Sequence, residues 1–239
     1  DYINENNISA RTQARILSSI RGLYDFLIFD NKLTTDPCEH IKTPKIGSKI
    51  PIVLTVEEID KIISSIDLSL EHGERNRLII ESLYSCGLRV SELIKLEMSN
   101  LFLKENILQV IGKGNRQRIV PISNTLKKYL KNYIEFVRSK QKIEKKNNDI
   151  LFLNRRGKPL SRVMIFNIVK DSAKKAGVEK TVSPHTFRHS FATHLVEGGA
   201  DLRVVQEMLG HVNITTTEIY THLNQDYLRQ EIINYHPRS

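Results

Sequence analysis

Apolar residues recur at three- and four-residue intervals along most of the chain, and one stretch near the middle switches to a period of two. Residues 9–29, SARTQARILSSIRGLYDFLIF, carry the helical spacing and open on Ser9, which predicts a capped amphipathic helix. Residues 34–51, TTDPCEHIKTPKIGSKIP, hold three prolines and a glycine with no sustained period, which predicts an extended linker and a domain boundary near residue 48. Beyond it Thr55 and Glu58 stand at the spacing of a capping box, and RNRLIIESLYSCG (75–87) reads as a buried helix stopped by Gly87. Residues 106–122, NILQVIGKGNRQRIVPI, alternate around GKGN and predict a β-hairpin. DILFLNRRGKPLS (149–161) repeats the pattern of strand and turn, SRVMIFNIVKDSAKKAG (161–177) is an amphipathic helix with a glycine stop, and DLRVVQEMLG (201–210) has the same grammar. Residues 215–236 predict one or two short helices, and RSKQKIEKKNND (138–149) a polar loop or helix end. The fold class expected is α+β: mainly α, with a small antiparallel β-sheet, in two unequal parts, 1–47 and 48–239.

The 239 residues, 40% hydrophobic, are enough to bury a core. Charge changes the picture, because the formal net charge of +9 is unevenly placed. Residues 101–200 carry 21 Lys and Arg against 7 Asp and Glu, while the flanking stretches are slightly acidic. Such a block predicts a polyanionic partner, with nucleic acid and an anionic membrane as the candidates. No run of 18 apolar residues and no signal peptide is present, so a cytoplasmic protein is expected. Cys38 and Cys86 form no pair with framework or metal spacing, and Cys86 reads as a buried thiol in a reducing compartment. Asp1 in place of methionine suggests that sequence is missing upstream.

Four short motifs carry chemistry. In SPHTFRHSFATHL (183–195), Ser183 and Pro184 read as N-cap and first helical residue, so His185 and Arg188, three apart, share a face near unpaired N–H groups and suit an anion. In SCGLRVSEL (85–93), Arg89 follows the turn at Gly87, and Glu92 one turn on can hold its guanidinium in one orientation. Lys113 sits at the hairpin tip. In LGHVNITTTEIYTHL (209–223), His211 follows the glycine stop and Tyr220 comes nine residues later. Taken singly, these are an ion pair, a basic turn and a packing aromatic. Taken together they can break a phosphodiester: two arginines and two histidines hold the non-bridging oxygens, a tyrosine attacks phosphorus, and a lysine protonates the departing 5′ oxygen. Zinc is the rival for His185, His189 and His211. It fails because Thr186 stands where a zinc protease needs its glutamate and Arg188 puts a cation beside the metal, so neither metal nor cofactor is expected.

GLRVSEL, VIGKGNRQRIVPI, SPHTFRH, GADLRVVQEMLGH and TTEIYTH, in that order, resemble the motifs of the tyrosine recombinase (phage integrase) family, and within it those of the Xer recombinases. The resemblance implies catalytic roles for Arg89, Lys113, His185, Arg188, His211 and the nucleophile Tyr220, with Glu92 supporting Arg89. Phe187 stands where the family often has leucine. It also implies a catalytic domain preceded here by only the end of a helical core-binding domain. The implied reaction cuts and rejoins double-stranded DNA at a specific site through a 3′-phosphotyrosyl bond and a Holliday junction. Four protomers act together, with a XerC-like sister recombinase and the translocase FtsK as partners, and the C-terminal segment docks on a neighbouring protomer. The helix near 161–176 is the candidate for major-groove contact, with Arg162, Lys170, Lys174 and Lys175 near the backbone. Three alternatives stay open: a type IB topoisomerase with the same tyrosine chemistry, an integrase of a mobile element, and a DNA-binding protein without catalysis.

Overall fold

The computed structural model describes residues 8–47, 51–210 and 222–238. The chain divides into two compact units, Asp1–Ile50 and Pro51–Ser239. In the first, helix α1 (Ala10–Phe29) starts where the Ser9 hydroxyl accepts the Thr12 N–H. Ala14 and Leu17 are buried, and Arg21 ties the helix to the following turns by donating to the Ile41 carbonyl and the Thr43 hydroxyl. Leu23, Phe26 and Phe29 remain exposed along it.

The second unit opens with α2 (Val56–Ser64), whose start is the reciprocal capping box of Thr55 and Glu58. Helix α3 (Gly73–Ser85) runs through the centre, with Leu78, Ile79, Ile80, Leu83 and Tyr84 essentially inaccessible to solvent. A helix buried on nearly every side needs neighbours all round it, and α3 packs against α5 (Asn124–Asn132), α6 (Arg162–Lys175) and α7 (Pro184–Gly198). A single turn, α4 (Val90–Leu93), follows α3.

Three antiparallel strands lie in the order β1 (Leu101–Phe102), β2 (Ile107–Ile111), β3 (Gln117–Pro121). Leu108 pairs with Val120 and Val110 with Arg118, and the β2–β3 turn Lys113–Asn115 has Gly114 at φ +73°. Helix α8 (Leu202–Leu209), capped by Asp201, packs on β3, as does α9 (His222–Tyr235), which also covers α7 and α8.

One local expectation changes, and two further stretches gain detail. Residues 149–161 form isolated bridges, Glu97 with Ile150 and Leu153 with Pro159, because no neighbouring strand is there to extend them. The polar stretch at 138–149 is anchored: Arg138 is buried and donates to the Asn148 and Ile150 carbonyls. Residues 124–137, whose lysines mask the pattern, form α5 and a wide turn, Tyr133–Val137, seated by the buried Leu126, Leu130 and Tyr133. At the C-terminus, α9 rests on its own unit, with Leu228 and Ile232 buried, and Arg238 beyond it pairs with Glu81 of α3.

Candidate active site

The site is assembled where three chain turns meet at the end of α8. The first turn leaves α3 at Gly87, φ +56°, where an added Cβ would stand 2.6 Å from the Phe191 ring; only glycine lets the backbone reverse so close to α7. Two residues on, the Arg89 N–H donates to Glu92 Oε2 at 2.8 Å, which closes the first turn of α4 and fixes the carboxylate. The second turn ends α8 at Gly210, φ +66°, with the Arg118 side chain against it. The third is the start of α7, where Ser183 caps Thr186 and Pro184 occupies the first turn, so Arg188 points back under α3.

Glu92 is 3% exposed at its side chain and is surrounded by guanidinium groups. Arg118 donates Nη1 to Oε1 and Nη2 to Oε2, each at 2.8 Å, in a bidentate fork. Arg89 Nη1 donates to Oε1 at 2.8 Å, and Arg188 Nη1 lies 3.9 Å from Oε2. The same three arginines hold the carbonyls that end α8: Arg118 Nε donates to Met208 at 2.6 Å, Arg188 Nη2 to Leu209 at 2.5 Å, and Arg89 to Leu209 at 3.2 Å and Gly210 at 3.4 Å. These carbonyls have no partner within the helix and carry its partial negative charge, so they suit cations. Arg188 Nη1 also donates to the Gly87 carbonyl at 2.5 Å.

Burial pushes the Glu92 carboxyl up, but the hydrogen bonds and charge of Arg118, followed by the bonds from Arg89, outweigh it and bring it down to about 2. Arg188 shifts the other way for a cation: burial and the neighbouring Arg89 push it down, opposed by Glu92. Among the described residues, one carboxylate among three guanidiniums leaves about two positive charges without a counter-ion, a sum that follows from their fixed ionisation. Arg89, with its side chain 35% exposed against 10% for Arg188 and 6% for Arg118, is the one that meets solvent. A cluster of this kind holds an anion.

The structure thus brings Arg89, Glu92 and Arg188 together. His185 is exposed on the first turn of α7 and makes no hydrogen bond to them among the described residues. His189 is half-buried, and His194 accepts or donates through Nδ1 to the Tyr84 hydroxyl at 2.7 Å. Lys113 opens the β2–β3 turn, while His211 and Tyr220 lie outside the described residues. Arg162, Lys170, Lys174 and Lys175 are all exposed on α6, beside exposed Val163 and Phe166. Phe187 is fully buried. Arg118 is the site residue that motif reading passed over. A signal for it existed, since alternation in QRIVP puts Arg118 on the inward face with Val120, and a buried arginine requires an anion.

Fold and cluster together define a protein with a buried cationic site at the end of a helix that suits an anion, and comparison with known proteins gives its class: the chain belongs to the phage integrase family, whose model matches residues 53–226. It is 44% identical over 238 residues to the tyrosine recombinase XerD of Staphylococcus saprophyticus and 45% identical to that of Listeria innocua, in each case spanning 100% of this chain and 80% of the relative. It is a Xer-type site-specific tyrosine recombinase, an enzyme that cuts and rejoins DNA. Among solved structures, the XerA recombinase superposes with a TM-score of 0.62 at 30% identity, over 100% of this chain and 80% of that one. XerH bound to palindromic difH substrate, in its post-cleavage complex, gives 0.73 at 28% identity over 95% and 66%. Among the described residues no helix is long and apolar enough to cross a membrane.

Proposed function

We propose that the arginine cluster holds the scissile phosphate of a recombination site while Tyr220 attacks it. The Tyr220 oxygen bonds to phosphorus, the bond to the 5′ oxygen breaks, and a 3′-phosphotyrosyl link remains. The phenolic proton leaves to the exposed imidazole of His185, and the Lys113 ammonium protonates the 5′ oxygen, which would otherwise depart as a poor alkoxide. Arg89 and Arg188, aided by His185 and His211, neutralise the charge gained in the pentavalent transition state. Glu92 keeps Arg89 in its orientation. The partner strand's 5′ hydroxyl then reverses the chemistry, so bond energy is conserved and neither ATP nor metal enters a step.

The observation that carries this reading is the buried carboxylate ringed by three guanidiniums at the end of α8. The exposed basic face of α6, with Arg162, Lys170, Lys174 and Lys175, supports contact with the DNA backbone. Residues 1–47 serve as the end of a core-binding domain and 48–239 as the catalytic domain. The biological substrate is a chromosome dimer in the cytoplasm, resolved through a Holliday junction by four protomers that include a XerC-like sister enzyme, with FtsK as a further partner.

Covalent trapping tests the reading. Protein and its Tyr220→Phe variant are incubated with nicked suicide substrates carrying Xer-type sites, in EDTA, and denaturant-resistant adducts are scored. An adduct formed only with Tyr220 is the expected result; a DNA-binding protein that forms none on any site refutes it.

A further inference from the structure

Arg118 lies within the motif VIGKGNRQRIVPI but motif reading gives it no role there, yet its guanidinium is held at Nε and at both Nη atoms. It is 5% exposed, it gives both Nη atoms to Glu92 and its Nε to the Met208 carbonyl, and Gly210 leaves room for it: a Cβ there would stand 3.2 Å from Arg118 Cδ. Its Nε and both Nη atoms are each engaged by protein and the side chain is almost wholly buried, so little of it is open to a phosphate. The Arg89 side chain touches the same carboxylate through Nη1 alone and keeps its outer edge toward solvent.

The charges explain why two arginines should share one glutamate. A carboxylate paired with Arg89 alone would orient it and also cancel it, leaving Arg188 as the one uncompensated cation of the cluster. With Arg118 added, the cluster sums to about two positive charges, which match the two negative charges that a phosphodiester carries as it passes through a pentavalent state. We propose that Arg118 is a positioning residue that takes up the charge of Glu92, so that Glu92 can orient Arg89 without neutralising it and both phosphate-binding arginines act at full charge. By holding the Met208 carbonyl it also fixes the last turn of α8, from which the chain leaves toward His211 and Tyr220.

This role rests on the recombinase chemistry proposed above, and the test separates the two. Covalent adduct formation is timed for the full chain, for Arg118→Met, for Arg118→Lys and for Arg118→Met combined with Glu92→Gln. Each is run on a phosphodiester substrate and on one whose scissile phosphate is a methylphosphonate, which lacks one negative charge; melting curves report folding. Arg118→Met should slow adduct formation about a hundredfold on the phosphodiester, the size seen when one preorganised electrostatic contact is lost, with DNA affinity within about threefold. The loss should shrink to about tenfold or less on the methylphosphonate, and Glu92→Gln should restore about tenfold on the phosphodiester by returning the cluster to its original net charge. Arg118→Lys keeps the charge without the fork, so it should lose no more than about tenfold. A wild-type rate in Arg118→Met overturns the proposal. So does an equal loss on both substrates that Glu92→Gln fails to relieve, which is the behaviour of a packing brace. If Arg118→Met does not fold, a folded Arg118→Lys that loses a hundredfold on both substrates overturns it equally. Failure of the wild-type chain to form any adduct would instead overturn the recombinase reading, and this role with it.

Discussion

Two buried carboxylates lie eleven residues apart, Glu81 inside α3 and Glu92 in α4, and both are held by arginine, but their surroundings differ in charge. Glu81 is fully buried, accepts Arg238 Nε at 2.7 Å and Nη2 at 3.0 Å and takes the Ser85 hydroxyl; Arg238 also reaches Asp60. That cluster has two carboxylates for its one cation, and beside Arg238 in the chain His236 packs on Tyr84 and Phe191, with ring centroids 4.8 and 5.4 Å apart. Glu92, by contrast, has three guanidiniums to itself. The first arrangement closes on itself and joins Arg238 to α3, whereas the second, among the described residues, keeps an excess of positive charge that suits an anion. Charge balance, more than burial or hydrogen-bond count, separates a brace from a binding site here.

The largest effect that would break this comparison comes from Arg188→Ala. Adduct formation should fall about a thousandfold, because a charge-bearing contact to the phosphate is lost. Stability in urea should hold or rise, since a buried cation short of counter-charge has been removed. Arg238→Ala should do the reverse. It leaves Glu81 buried with its arginine gone, so the protein should lose about 3–5 kcal/mol of stability, while adducts per folded molecule stay within about threefold. Equal behaviour of the two variants in both assays would erase the distinction.

Acid gives a smaller effect. His236 is 3% exposed, and burial, then His194 and Arg238, hold its imidazole down at about 3 against the ordinary 6.5. The unfolded chain therefore takes up a proton that the folded one refuses, and stability should fall as the pH drops from about 6.5 toward 3. His236→Phe should flatten that slope in urea melts at stepped pH. The stabilising contribution of Glu92, whose folded value is near 2 against 4.5, is present above 4.5 and is lost only as the pH falls on toward 2, so His236 acts first. The smallest effect should come from sulfate: millimolar sulfate should raise the melting temperature by a few degrees through binding to the folded state. Arg188→Ala should abolish the rise and Arg238→Ala should leave it intact.

Much of this could be read before any fold was known, because the features concerned are local. Ser9, Thr55 and Glu58, Ser183 with Pro184, and the stops at Gly87 and Gly210 all act within a turn of themselves, and the helices begin and end at them. Arg89 and Glu92 are three residues apart, so their contact needs only a helical turn. Residues 149–161 were harder, since a strand exists only if another segment pairs with it. The α5 segment was obscured because its lysines, 127, 128 and 131, are interleaved with the apolar residues that seat it.

By itself the sequence determined the kind of chemistry on offer, its order along the chain and where most helices start and stop, since each depends on residues within a turn of one another. Tertiary structure alone decided that Arg118 joins Glu92 across 26 positions, that Arg188 reaches Gly87 across 101 and that Arg238 closes on Glu81 across 157. Those pairings set the charge of each buried cluster. The net charge around a buried carboxylate is a property of its neighbours in space, and a linear sequence does not state who they are.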